Sequence, residues 1–251
     1  MRPLLWLTPR KEEGKVSMSD TWSYDPGYRP DDPRHGLSPK GLIDFYDSRP
    51  KQWMIRCTYG SKGLERRESA MEAHRVFYNA MRDRVFFLGP ILADDGKTPI
   101  GSFVIIEAPD RADAEAFIAG EGFVQFGMID KIEIKRFVET SLEERRQLQM
   151  THDPSLQLFL CELIDSPDGA EKRKAAGPAH HQYQKRVMDS FIARGPMRSD
   201  DGLRNIGTFY IIQVKDRAAA EAFIASEPLN QAGVFSEIRI NRWRFGGALT
   251  R

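Results

Sequence analysis

Apolar and polar positions fall into short blocks along this chain, and the set of blocks is written twice. Trp53-Met-Ile-Arg-Cys-Thr-Tyr59 has the length and apolar content of a strand, and a helical stretch follows from about Leu64 to Met81. Val85-Phe-Phe-Leu88 then leads through Gly89-Pro90 to the turn Asp95-Gly96, and Phe103-Val-Ile-Ile106 returns, as in a hairpin. Asp110 is placed to cap a second helix whose Ala114, Phe117 and Ile118 share an inner face. The last strand alternates, which predicts Ile132 and Ile134 inside and Lys131, Glu133 and Lys135 outside. The order β-α-β-β-α-β is the ferredoxin-like split unit, and it recurs from Leu156 to Trp243.

The two copies run in register at an offset of 106 residues, with no gap from His74 and His180 onward. Gly89-Pro90 returns as Gly195-Pro196, Asp94-Asp95-Gly96 as Asp200-Asp201-Gly202, and Asp110-Arg111-Ala112 as Asp216-Arg217-Ala218. About half the positions from the Gly-Pro to Arg136 and Arg242 are identical, far above chance for a fixed period. The chain therefore divides into an arm (1–50), a first unit (51–138), a linker (139–155), a second unit (156–245) and a tail (246–251). A unit this small buries limited apolar surface alone, so pairing with its twin adds burial.

The arm holds seven of the fifteen prolines and has no period, which reads as an extended segment. Ser38-Pro39 opens a short helix over 39–47 that docks the arm on the first unit. In the linker, Ser141-Leu-Glu-Glu144 has capping-box spacing, so part of it is expected to be helical. The first residues carry too short an apolar patch for a secretory signal, an organelle address stays open although early acidic residues weaken it, and Met18 offers a second start.

A formal net charge of +1 gives no electrostatic case for nucleic acid or an anionic membrane surface, and no apolar run has the length of a membrane span. Cys57 and Cys161 lie on the equivalent strand of each unit without zinc spacing, so they read as small buried residues in a reducing, cytoplasmic setting. No Walker loop, GxSxG elbow or GxGxxG occurs. Asp94-Asp95-Gly96 is hairpin-turn chemistry, and neither a metal nor a cofactor is expected.

Each unit resembles the YCII-related domain family. The matching features are a His in the first helix with an aromatic three residues on (His74 with Phe77, His180 with Tyr183), the Gly-Pro of the second strand and the acidic-Gly turn. A final strand ending in Ile-x-Arg-aromatic (Ile134-Lys-Arg-Phe137, Ile240-Asn-Arg-Trp243) completes the set, over about 52–137 and 156–243. The resemblance implies an α+β fold in which two ferredoxin-like units pair as a dimeric α/β barrel, here within one chain. The family usually carries Asp-Pro after the second helix, where this chain has Glu121-Gly122 and Glu227-Pro228.

His74 shares a helix face with Met71, Tyr78 and Met81 and points toward an apolar interior, where an imidazole is either a hydrogen-bonded core residue or a functional group. The resemblance implies the second for His74 and His180. His181 points about 100° away and reads as solvated. Asp83 and Asp189, nine residues beyond each His, fall half a turn off that face and suit helix ends. Glu121 and Glu227 follow the second helix, so each is an exposed turn acid or a partner reaching the His from a neighbouring element. A carboxylate receiving one imidazole N–H fixes the tautomer and leaves the other nitrogen as a base. Arg136 and Arg242 share the parity of the inward isoleucines and either bind a substrate carboxylate or phenolate or extend to solvent at a strand end. Phe77 and Tyr183 are the aromatic candidates for substrate contact.

What the resemblance implies is a small-molecule enzyme, a lyase or isomerase performing cofactor-independent proton transfer on an aromatic or lactone-like metabolite. His74 or His180 is then the base, Glu121 or Glu227 its orienter, and Arg136 or Arg242 the oxyanion partner. The alternative is a non-catalytic ligand-binding module, or an accessory subunit docking a protein partner through residues 1–50.

Overall fold

The computed structural model describes residues 32–138, 140 and 152–247. The proposed linker helix, most of the arm and the last residues lie outside that set. A short helix α1 (Pro39–Asp47) starts at Ser38, whose hydroxyl accepts from the Gly41 N–H. The first unit follows as β1 (Gln52–Tyr59), α2 (Gly63–Ala80), β2 (Val85–Leu92), β3 (Pro99–Glu107), α3 (Arg111–Ala119), α4 (Gly122–Gln125) and β4 (Ile129–Phe137). The second is β5 (Gln157–Asp165), α5 (Gly169–Arg186), β6 (Phe191–Arg198), β7 (Asn205–Val214), α6 (Arg217–Ala225), α7 (Pro228–Gln231) and β8 (Phe235–Trp243). Asp110 and Asp216 cap α3 and α6, accepting from Asp113 N and Ala219 N at 2.9 Å.

The eight strands close into one antiparallel barrel in the order β1-β3-β2-β8-β5-β7-β6-β4. Each unit supplies four strands, and the seams are short: Ile91 and Leu92 pair with Trp243 and Arg242, and Arg136 and Phe137 pair with Arg198 and Met197. The recurring acidic turns close these seams. Arg217 donates to Asp94 at 2.7 Å, and its counterpart Arg111 reaches Asp200 at 3.2 Å.

A closed barrel has two covered surfaces, and this corrects the expectation of one inward face. Met54, Phe87, Phe103, Ile105, Phe137, Leu160 and Phe209 fill the lumen, while Trp53, Ile55, Ile106, Phe117 and Ile134 pack beneath the helices. Glu133 and Lys135, expected to face solvent, share the lumen face with Met54, because Lys135 pairs with Met54 and Glu133 with Arg56. There they join a polar cluster. Arg56 Nη1 meets Glu162 Oε2 at 2.5 Å, Arg56 Nη2 donates to Asn241 at 2.7 Å, and Lys135 lies 3.4 Å from Glu162. Arg239 Nη1 holds both oxygens of Glu133, at 3.0 and 3.1 Å. Burial alone would raise Glu133, but Arg239 outweighs it and holds that carboxyl below its usual range.

Each unit extends beyond its last strand onto the other. Val138 N and Thr140 N donate to Pro196 O and Arg194 O, and Gly246 N donates to Leu88 O. The crossings explain two of the recurring glycines: a Cβ on Gly89 would lie 1.8 Å from Arg244 O, and one on Gly195 1.9 Å from Val138 O. The described part of the arm is bound to the same framework. Arg34, 2% exposed, donates to Tyr46 Oη at 2.8 Å, pairs with Asp32 and reaches Thr140 O. Among the described residues, no helix is long and apolar enough to cross a membrane.

Candidate active site

His74 lies on α2 and Glu121 just before α4, and the fold joins them: Nδ1 to Oε1 is 2.6 Å. Glu121 is 1% exposed, and its other oxygen accepts from Phe123 N at 2.9 Å and Val124 N at 3.3 Å, capping α4. Gly122 permits the approach, since a Cβ there would lie 2.4 Å from His74 N. The extra methylene of Glu over Asp is accommodated by this cap. Phe123 stacks on the imidazole at 4.0 Å and 9°, and Tyr78 meets it edge-on at 4.9 Å, which fixes the ring plane. An ionised carboxylate only accepts, so in the neutral imidazole this pairing selects the tautomer with the proton on Nδ1 and the lone pair on Nε2.

His74 lines a cavity of about 380 Å³, together with Tyr59, Arg67, Arg75, Ser102, Phe123 and, from the other unit, Arg244. That volume suits a small metabolite. Burial pushes the Tyr59 phenol up to about 12, so it remains a hydrogen-bond donor in the physiological range.

The second unit repeats the pair and loses the surroundings. His180 Nδ1 lies 2.5 Å from Glu227 Oε1, and Glu227 Oε2 caps α7 through Asn230 N at 3.0 Å. At the positions 106 residues after Tyr59, Arg67 and Leu88 stand Asp165, Arg173 and Arg194. Arg173 is bound to Asp165 through two contacts (3.1 and 2.5 Å) and to Thr208 at 3.0 Å, and Arg194 donates to Gln184 at 2.6 Å. Thr140, to which Arg34 of the arm is bonded, covers Arg194 O. Leu229 replaces Phe123, removing the stacked ring. His181, expected to be solvated, is 4% exposed, because α5 also buries Arg173, His180, Tyr183 and Gln184.

The other candidates are not brought to either pair. Arg136 leaves the sheet at the seam, where Nη1 reaches Asp200 O at 3.5 Å, and Arg242 sits over the Phe159 ring at 5.4 Å. Phe77 packs edge-on against Phe117 at 5.1 Å, and Tyr183 donates to Phe223 O at 2.6 Å, so both join helices to one another. Asp83 and Asp189 occupy the single turns that end α2 and α5. The cavity residues not singled out from sequence (Tyr59, Arg67, Ser102, Arg244) carried a usable signal: Tyr59 is Asp165 in the second copy and Arg244 is Val138 in the first. Among the described residues, no group of three or more His, Cys, Asp or Glu side chains is placed to hold a metal ion.

Two ferredoxin-like units closed into one barrel within a chain, each with an imidazole–carboxylate pair in its helical layer, define a fused dimeric α/β-barrel protein. The chain belongs to the YCII-related domain family, whose model matches residues 52–138 and again 157–244. No protein with a curated description matches. Among solved structures, 5-chloro-2-hydroxyhydroquinone dehydrochlorinase from Burkholderia phenoliruptrix, in complex with 2,5-dihydroxybenzoquinone, is 24% identical. The match covers 36% of this chain and 95% of that one, with a TM-score of 0.33. A mutant chlorite dismutase from Candidatus Nitrospira defluvii in complex with cyanide is 11% identical over 82% of this chain and 95% of its own, with a TM-score of 0.53. The second match extends across both units and reflects the shared barrel fold.

Proposed function

We propose that the first unit is a general-base active site for proton transfer on a small metabolite, leading to elimination or isomerisation. His74 Nε2 removes the proton, and Glu121 fixes the tautomer and steadies the imidazolium that forms. The observation that carries this reading is the Glu121 carboxylate, held by two backbone N–H groups while it receives His74 Nδ1 beside an open cavity. A histidine kept only for packing needs no cavity beside it. Proton abstraction and return by one imidazole require no redox change. In this reading the second unit is a structural partner: its pair is retained, but its cleft is occupied by its own ion pairs and bordered by the arm.

Solvent-deuterium incorporation into a panel of small enolisable acids, followed by NMR, tests this. His74→Ala should lower exchange by roughly 10²–10⁴-fold, while His180→Ala leaves it near the parent rate. Equal loss in both variants, or none in His74→Ala, would contradict the assignment.

A further inference from the structure

The two copies of the cleft differ at one position in a way that identifies what the open one is missing. In the second unit Arg173 is bound by a carboxylate: Asp165 receives its Nε at 3.1 Å and its Nη2 at 2.5 Å, and Thr208 receives its Nη1 at 3.0 Å. This is the two-point geometry in which guanidinium groups bind carboxylates. The first unit keeps the arginine (Arg67) and the hydroxyl (Ser102) but places Tyr59 where Asp165 stands. The Tyr59 hydroxyl is neutral and interacts with the Arg67 guanidinium, but Arg67 Nε is buried with no hydrogen-bond partner among the described residues, and Arg67, Ser102 and Tyr59 all line the cavity that holds His74. A buried N–H without an acceptor is costly, so native sites of this kind normally have one when occupied.

We infer that the first cleft binds a small organic acid whose carboxylate takes, on Arg67, the place that Asp165 takes on Arg173. The surroundings agree with this. Arg75 and Arg244 also line the cavity and, among the described residues, no Asp or Glu does; Glu121 stands behind His74, so three guanidinium groups face one carboxylate and the field favours an anion. Arg244 comes from the second unit and stands at the position equivalent to Val138, so the closed partner contributes charge to the open cleft. Arg67 and His74 are seven residues apart on α2, two turns of one face, or about 10.5 Å along the axis. The acid is therefore anchored at one end by Arg67 and presents its reacting C–H to His74 at the other. This inference rests on the active-site reading for the role of His74, but the carboxylate site itself does not.

Binding is measured on the full chain by calorimetry, with acetate, benzoate and succinate against acetamide and benzamide at fixed ionic strength. The carboxylates should bind and the amides should not. Arg67→Met should weaken binding by roughly tenfold to a hundredfold, and Arg173→Met should leave it unchanged. Tyr59→Asp should abolish carboxylate binding without loss of thermal stability, because it installs the internal carboxylate that the second unit already carries. Circular dichroism of each variant verifies folding, and Arg67→Lys provides a second, milder probe if Arg67→Met unfolds. Carboxylates that fail to bind, or that bind equally to Arg67→Met or to a folded Tyr59→Asp, overturn the inference. The two readings fail separately. Exchange that survives in His74→Ala while carboxylates still bind removes the general base alone, whereas exchange lost in His74→Ala with carboxylate binding indifferent to Arg67→Met removes the carboxylate site alone.

Discussion

Arg56→Met gives the most quantitative test of how the two units are joined. Arg56 and Glu162 meet inside the barrel, with side chains 12% and 1% exposed. Removing the guanidinium leaves Glu162 Oε2 and Asn241 Oδ1 without their donor. Breaking one partner of a buried ion pair costs about 3–5 kcal/mol. Lys135 still lies 3.4 Å from Glu162 Oε1, so the lower end, about 3 kcal/mol, is expected here. For a chain of this size that is a fall in Tm of roughly 6–12 °C. Removing both charges is different: Arg56→Met with Glu162→Leu should be more stable than Arg56→Met alone, because no carboxylate is left buried, although Lys135 and Asn241 each lose a partner. The exchanged pair, Arg56→Glu with Glu162→Arg, should be more stable than either single change. Urea unfolding of the two double variants and their four singles measures this coupling. A cost below about 1 kcal/mol for Arg56→Met, or a double variant no better than the sum of its singles, would show that the two charges are not coupled.

Other expectations follow from named contacts. Glu121→Gln should lower proton exchange by roughly tenfold or more, because the amide can present N–H where His74 Nδ1 needs an acceptor, and imidazole NMR would show the altered tautomer. Gly89→Ala places a methyl 1.8 Å from Arg244 O, so it should displace the 244–246 segment, cost roughly 1–3 kcal/mol by thermal unfolding, and weaken carboxylate binding in the cleft that Arg244 lines. Burial would raise Asp32, but Arg34, with Arg194 beyond it, holds its carboxyl below the ordinary value. Docking of residues 32–47 is therefore favoured above the usual carboxylate range and lost as pH falls through the depressed value, which proteolysis after Arg34 at falling pH would detect. Burial, then the charge of Glu121, pushes the Cys57 thiol up to about 12, and burial raises Cys161 as well, so neither should react with a thiol reagent until the chain unfolds.

Much of the architecture was legible in the sequence because the period itself is structural. An unbroken offset of 106 residues sets two equal units, and the glycines and aspartates that recur are those at crossings and seams, as Gly89, Gly195, Asp94 and Asp200 illustrate. The pairing of His74 with Glu121 was open from spacing alone, since 47 residues separate them and only the docking of α4 on α2 decides it. Arg136 and Arg242 were read on the correct strand face, yet at the seam their length carries them to the other unit's hairpin rather than to the histidines.

The lumen was the least visible part. Strand parity marks one buried face, whereas a barrel buries two, so Glu133 and Lys135 read as exposed. The pseudo-twofold axis also brings positions 106 residues apart into contact, as with Arg56 and Glu162 or Glu133 and Arg239. Identical units would set like charges against each other at these positions. Differences between the copies, more than their identities, thus marked both the internal interface and the open cleft.

The proposed active site requires Glu121 to hold His74 with the proton on Nδ1 and the lone pair on Nε2. Long-range nitrogen–proton NMR of the imidazole rings, recorded at alkaline pH, reads the tautomer directly. A protonated Nδ1 and a bare Nε2 are expected for His74 in the parent chain, and this state should be lost in Glu121→Gln. A His74 ring protonated at Nε2 in the parent would contradict it.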